Sequence, residues 1–250
     1  MRFRPCIDLH DGVVKQIVGS TLTADGPGPA TNFVAANSPA WFAALYRRDN
    51  LRGGHVIKLG PGNDEAAREA LSAWPGGMQI GGGITTGNAR EWLDAGASHV
   101  IVTSYVFRDG QVDFDRLKKL VAAIGKERLV LDLSCRRRGD DYIIVTDRWQ
   151  KFTETAVNEE TLTRLAGYCD EFLVHAADVE GKCAGIELPL VDLLAAHCPI
   201  AVTYAGGIRD MADIELIASH GQRRVDFTVG SALDIFGGTL PYRSLVNLSS

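Results

Sequence analysis

The two halves of the chain repeat one another, and no other feature restricts its fold as much. Ile7-Asp8-Leu9 returns as Leu131-Asp132-Leu133, 124 residues on, and Gly82-Gly83-Ile84 returns as Gly206-Gly207-Ile208 at the same offset. Glu91, Trp92 and Leu93 correspond in the same way to Glu215, Leu216 and Ile217, while Ser104 corresponds to Ser231 at an offset of 127. The extra residues fall near Gly221–Arg224. Four matches in register divide the 250 residues into two blocks, 1–125 and 126–250.

Each block alternates short apolar runs with amphipathic ones. Candidate strands are Pro5–Leu9, His55–Leu59, Met78–Gly81, His99–Thr103, Leu129–Leu133, Phe172–His175, Ile200–Tyr204 and Asp226–Val229. Short β-branched runs of this kind suit a parallel sheet buried on both faces. Between them, Ser38-Pro39 reads as an N-cap followed by Pro at the first helical position, with Trp41, Phe42, Leu45 and Tyr46 at helical spacing. Asn88 opens a helix carrying Trp92 and Leu93 that closes at Gly96, and Leu117, Leu120, Val121 and Ile124 form a stripe that ends at Gly125. Glu160–Leu165, Pro189–Ala196 and Met211–Ser219 supply further helices. Eight such units predict an α/β fold, a single-domain (β/α)8 TIM barrel built from two duplicated half-barrels. An open doubly wound sheet is the alternative, but two equal halves close more naturally around a twofold axis.

A barrel of this type keeps its chemistry at the C-terminal ends of its strands. Asp8 and Asp132 lie there, each inside an apolar strand, where an unpaired carboxylate costs several kcal/mol. A structural Asp bonded to neighbouring amides is one reading. Two of them at corresponding places favour function, an acid and a base facing each other across the mouth. Four turns complete the pattern: Gly82-Gly83 after strand three, Thr103-Ser104 after strand four, Gly206-Gly207 after strand seven and Gly230-Ser231 after strand eight. Glycines let backbone N–H groups approach an oxyanion, hydroxyls add donors, and a following helix N-terminus adds its dipole. Two cradles at matched positions predict a long small-molecule substrate with a phosphate at each end.

Composition then narrows the partners. With 26 Lys+Arg against 31 Asp+Glu, the net charge of −5 offers no broad attraction for nucleic acid. Phosphates held by backbone amides need no basic excess. Five cysteines, Cys6, Cys135, Cys169, Cys183 and Cys198, include no C-x-x-C pair, which predicts reduced thiols with neither a disulfide framework nor a zinc site. The opening MRFRPCIDLHDG has the character of neither a signal peptide nor a transit segment, and no apolar run approaches the ~20 residues of a membrane span. The expectation is a cytoplasmic protein without membrane partners, or a stromal one where an organellar leader has been removed. No heptad or long apolar edge asks for assembly, so a monomer is expected.

The segments PCIDLHDGVVKQIVGSTL, IGGGIT, VLDLSC, FLVHAADVEGKCAGIE, YAGGIRD and TVGSALDIFGG resemble, in order from Pro5 to Gly238, the phosphoribosylformimino-5-aminoimidazole carboxamide ribotide isomerases of histidine biosynthesis. HAADVEG together with LGPGN is similar to the eukaryotic branch. The resemblance implies a duplicated barrel and an Amadori rearrangement of a bis-phosphate aminoaldose to an aminoketose, with no metal or redox cofactor. It implies Asp8 as base and Asp132 as acid. At the sixth strand His175-Ala176 stands where the bacterial branch has Thr-Asp. His175 is therefore a candidate to orient Asp132 or touch the substrate, against the alternative of a histidine bonded within the barrel. Asp178, Gly181 and Trp149 are further substrate-binding candidates.

Trp149 belongs to one of two long loops, Ser20–Asn37 and Cys135–Phe152, expected as lids; it would stack on the imidazole or simply pack its loop down. Arg136-Arg137-Arg138 reads as a solvated run more readily than as a phosphate clamp, and Lys58, standing where the bacterial pattern has Asp, receives no role. The competing functions are the cyclase subunit of imidazole glycerol phosphate synthase, phosphoribosylanthranilate isomerase and a non-catalytic phosphosugar-binding barrel. CIDLHDG fits the isomerase better than the cyclase, two cradles exceed what a one-phosphate substrate needs, and a mere binder has no use for Asp8 and Asp132.

Overall fold

Successive residues of a strand face opposite sides, and that alternation organises the molecule. In β1 (Cys6–His10), Ile7 and Leu9 are fully buried towards the outer layer, while Cys6 and Asp8 face the other side. The computed structural model describes residues 1–18, 21 and 30–248. The parallel strands continue as β2 (Gly54–Lys58), β3 (Met78–Gly81), β4 (Val100–Val102), β5 (Leu129–Asp132), β6 (Glu171–His175), β7 (Ala201–Ala205) and β8 (Val225–Phe227). They are hydrogen-bonded in chain order, with β1 also carrying an antiparallel extension, Val13–Ile17 followed by Thr31–Val34. The ring closes just before β1. Phe3 forms a parallel bridge with Phe227, where Arg4 N–H donates to the Phe227 carbonyl at 2.8 Å and Phe227 N–H to the Arg2 carbonyl at 3.1 Å. The fold is a (β/α)8 barrel.

Each strand is followed by a helix: α1 (Pro39–Arg48), α2 (Asp64–Ala73), α3 (Ala89–Asp94), α4 (Phe114–Ile124), α5 (Glu159–Ala166), α6 (Leu188–His197), α7 (Met211–His220) and α8 (Tyr242–Leu248). Local chemistry explains their limits. The Ser38 hydroxyl accepts from Trp41 N–H at 3.3 Å, and Pro39 opens α1. Asp113 caps α4, accepting from Arg116 N–H at 3.1 Å, and Gly125 stops it at φ +81°. The sequence reading needs three corrections. Trp41, expected on the buried face of α1, is exposed and rests edge-on against Phe42. Helices α2 and α8 were not anticipated; the core face of α2 is Ala66, Ala67, Ala70 and Leu71, where small residues give little hydrophobic contrast. The third concerns the two segments read as long loops. Cys135–Phe152 belongs to a three-stranded antiparallel sheet, Cys135–Arg138, Asp141–Thr146 and Lys151–Ala156, with Tyr142–Val145 buried in its middle strand. Of the Ser20–Asn37 loop, Ser20 and residues 22–29 lie outside the described residues, and Thr31–Val34 is strand.

The barrel interior is layered. At the bottom lie Arg4, Gln79, Glu171, Thr203 and Asp226, all buried. Arg4 donates through Nε to Asp226 at 2.9 Å and through Nη2 to Glu171 at 3.3 Å; Glu171 also accepts from Thr203 at 3.0 Å and Gln79 at 3.3 Å. Above them Ile101, Val130, Leu173 and Ala205 form an apolar layer with Ile57 against it. Removing the guanidinium alone leaves the buried Glu171 without a cation, while Asp226 keeps only Arg2 and the N-terminus. Arg4→Ala is therefore expected to lower stability by about 3–5 kcal/mol. Urea denaturation measures it, and a loss under about 1 kcal/mol would refute the account.

Candidate active site

Asp8, Asp132 and His175 project inward from the ends of β1, β5 and β6, above the apolar layer. They border a cavity of about 780 Å³ together with Gly82, Gly83, Thr103, Ser104, Arg148, Trp149 and Glu180. A second, smaller pocket holds Gly181, Gly206, Gly207, Gly230 and Ser231, and it too is lined by Asp8, His175 and Glu180. The two cradles read from the sequence thus lie on either side of one shared centre.

The turns are built to bring backbone close. A Cβ at Gly82 would lie 2.2 Å from the Lys58 carbonyl oxygen, and one at Gly207 would lie 2.0 Å from that of Gly185; both residues also have positive φ, +93° and +76°. Behind each turn a side chain holds the backbone. Asn88 Oδ1 accepts from Thr85 N–H at 2.8 Å, and Asp213 Oδ2 accepts from Arg209 N–H at 2.9 Å; the two donors are 124 residues apart, as in the repeat, and the two acceptors 125. Ser104 Oγ accepts from Asp147 N–H at 3.0 Å, and Ser231 Oγ accepts from Asn32 Nδ2 at 3.0 Å, so each hydroxyl keeps its own proton to donate. Asn32 also donates to the Gly181 carbonyl at 2.9 Å.

Electrostatics separate the acidic groups. Asp132 is buried, which alone would raise its pKa. The His175 charge and hydrogen bond at 3.4 Å, and the Ser134 hydroxyl and N–H at 2.7 and 2.8 Å, outweigh burial and hold it below the usual carboxylate range. Thr103 completes the shell with a hydroxyl donated at 3.3 Å. His175 answers in kind: burial would lower it, but Asp132, then Glu180 and Asp8, raise it to about 9. Asp8 differs from its repeat mate. Burial and the nearby Glu180 charge push it up to about 7, against His175 and a Gln16 Nε2 hydrogen bond of 3.2 Å. Burial likewise pushes Glu180 up, opposed by His175 and the Gly181 N–H. Near neutral pH the centre therefore holds an Asp132–His175 ion pair beside a carboxylate poised to take a proton.

Other expected residues lie elsewhere. Asp178 lines neither cavity; it accepts from Arg136 Nε at 2.7 Å and Arg137 N–H at 2.9 Å. Arg136 and Arg138 stack over Phe152, and the arginine run stays away from both cradles. Lys58 borders the larger cavity, but its Nζ turns to the helix layer, 3.9 Å from the Trp92 ring centroid and 2.8 Å from Asp64. Trp149 does come to the centre, 5.7 Å from the His175 ring. Sequence reasoning missed Glu180, Gln16 and His55. Glu180-Gly181 ends a run of small and apolar residues after the sixth strand, which is a visible signal; Gln16 and His55 carry none, because only strand pairing brings them to Asp8. The cysteines Cys6, Cys135, Cys169 and Cys198 are buried, Cys183 is exposed, and all are unpaired. Among the described residues no helix is long and apolar enough to cross a membrane.

Fold and site define a class: a (β/α)8-barrel enzyme in which two pockets with glycine-rich turns share a cluster of buried ionisable side chains. Residues 2–240 match the model of a family described as histidine biosynthesis protein. The chain belongs to that family. It is 57% identical to the chloroplastic 1-(5-phosphoribosyl)-5-((5-phosphoribosylamino)methylideneamino) imidazole-4-carboxamide isomerase of Medicago truncatula, over 98% of this chain and 81% of the relative. It is 54% identical to the isomerase of the same name from Neurospora crassa, over 95% and 93%, and 46% identical to that from Saccharomyces cerevisiae, over 96% and 94%.

Proposed function

We propose that this chain catalyses the isomerisation named for its relatives, the Amadori rearrangement of the bis-phosphate aminoaldose N'-(5'-phosphoribosyl)formimino-5-aminoimidazole-4-carboxamide ribonucleotide to its phosphoribulosyl ketose. It works as one barrel domain, a monomer, in the cytoplasm or in an organellar stroma like that of the Medicago relative. The observation that carries this reading is the single centre shared by two cradles. A molecule with a phosphate in each must lay its middle across Asp8, His175 and Glu180.

In this reading Gly82, Gly83 and Ser104 hold one phosphate, and Gly206, Gly207, Gly230 and Ser231 hold the other. The proton that resemblance assigns to Asp132 belongs instead to His175, since an ionised Asp132 is a poor donor. Asp132 keeps the imidazolium charged and aimed. His175 gives its proton to the ribose ring oxygen as the ring C–O bond breaks, leaving an open-chain protonated imine. Asp8 takes the proton from the adjacent carbon, giving the enolamine. That proton returns to the former anomeric carbon as the carbonyl forms, and the hydroxyl proton released restores the donor. Trp149 covers the imidazole. A second donor is favoured by one observation: Glu180 is pushed up and borders both pockets. Retained turnover in His175→Gln with lost turnover in Glu180→Gln would move the proton there.

The rate should follow the ionisations. kcat/KM is expected to rise with pH through about 7 as Asp8 loses its proton and to fall through about 9 as His175 loses its own. A flat profile between pH 6 and 10 would remove both assignments. The function itself is tested by mixing the protein with the aminoaldose and following its absorbance. Turnover without glutamine or ammonia supports the isomerase; turnover only of the ketose with ammonia would make it the cyclase instead.

A further inference from the structure

Directly beneath the base lies a set of donors that the proposed reaction does not use. Cys6 precedes Asp8 by two residues on the inward face of β1, and the parallel register sets Cys6 beside His55 of β2. The Cys6 thiol, an Asp8 carboxylate oxygen and a His55 ring nitrogen all lie within 4.8 Å of one another. Cys6 and His55 are each 3% exposed, and both border the smaller pocket, so the donors are sheltered yet reachable.

Three features make this more than a chance grouping. The His55 side chain makes no hydrogen bond among the described residues, its nearest ring partner being His175 at 6.2 Å between centroids. The Thr228 hydroxyl, buried in the wall of the same pocket, faces the Cys6 thiol and makes no other hydrogen bond among the described residues. Gln16 Nε2 reaches both Cys6 Sγ, at 3.9 Å, and Asp8 Oδ2, at 3.2 Å. The partial positive charge of that amide already sits where Cys6 and Asp8 would meet a cation.

We propose that Cys6, Asp8 and His55 form a transition-metal site for Zn²⁺ or a cation of similar preference, and that filling it inhibits the enzyme by capturing Asp8. One thiolate, one imidazole and one carboxylate are the donor types that zinc accepts, and the fourth tetrahedral position stays open to water from the pocket. At the 4.8 Å limit a cation centred among the donors would be about 2.8 Å from each. Small side-chain rotations close the remaining half-ångström or so to zinc's bond lengths of about 2.0–2.3 Å. Binding releases the Cys6 thiol proton to solvent, and the resulting thiolate completes the donor set. The inhibitory part rests on the reading of Asp8 as base; the binding part does not.

The test is therefore made first without substrate. Chelator-treated full-length protein is titrated with Co²⁺, which reports thiolate ligation through a charge-transfer absorption. The expected result is one equivalent of Co²⁺ with that absorption, displaced by Zn²⁺. Affinity should be weakened more than about tenfold in both Cys6→Ser and His55→Gln and retained in Cys183→Ser, which removes the exposed thiol of the same pocket. Thermal unfolding run alongside confirms that each variant is folded. Absence of the absorption, its survival in Cys6→Ser, or its loss in Cys183→Ser would overturn the site. With substrate, Zn²⁺ should lower kcat over the concentration range that displaces Co²⁺. Tight binding with unaltered turnover would overturn the inhibitory part.

Discussion

Asp8→Asn is expected to lower kcat by about 10²–10⁴-fold while the protein stays folded. Asparagine keeps the size of the side chain and can still bond Gln16, but it cannot take a proton. The rising limb of the pH profile near 7 should vanish with the turnover, because that limb is the ionisation of this one carboxyl. Substrate binding should be spared, since both cradles lie to the sides of the residue. Steady-state kinetics across pH, with a circular dichroism spectrum for folding, decides the matter. Turnover within a few-fold of the parent would end the case for Asp8 as base.

Asp132→Asn should be nearly as damaging by a different route. The residue is held ionised by His175 and Ser134, and its charge is what keeps a buried imidazole protonated. Without that charge, burial dominates His175, and its pKa falls from about 9 towards and below neutrality. His55 shows the outcome: a buried imidazole beside the charged His175 is pushed down to about 3. The expected result is a loss of most of kcat at pH 8 and a falling limb displaced to lower pH. A merely structural Asp132 would lower stability without moving the limb. Unchanged turnover, or an unmoved limb, would sink the assignment.

The barrel strands were legible because each is a short apolar run bounded by turn residues, and such runs need no knowledge of their partners. The cradles were legible because the repeat marks them twice. The repeat marks Asp8 and Asp132 as a pair but does not set their ionisation: burial and Glu180 push Asp8 up, while His175 and Ser134 hold Asp132 down. Ser134 is adjacent in sequence, but Glu180 is 172 residues from Asp8, and only closure of the ring brings them together. The Cys135–Phe152 excursion was misread for a more local reason. Gly139-Asp140 separates a polar run from Tyr142-Ile143-Ile144-Val145, a hairpin signal masked by three arginines that look like loop. Asp178 misled for the converse reason: its motif placed it at the mouth, but those arginines take its carboxylate aside.

The serines of the two cradles are held crosswise. Ser104, in the first block, is braced by Asp147 of the second, and Ser231, in the second, by Asn32 of the first. Neither block alone owns a finished anion pocket. A phosphate seated in either one spans the seam between the blocks, so the substrate acts as a double clasp on the protein that turns it over. Mass action then ties catalysis to cohesion: at a hundred times its dissociation constant the substrate adds about 2.7 kcal/mol to the folded state. Much of that gain should fall on the joint between the halves. An ancestral block of this kind could have gained both a partner and a reaction from the same molecule.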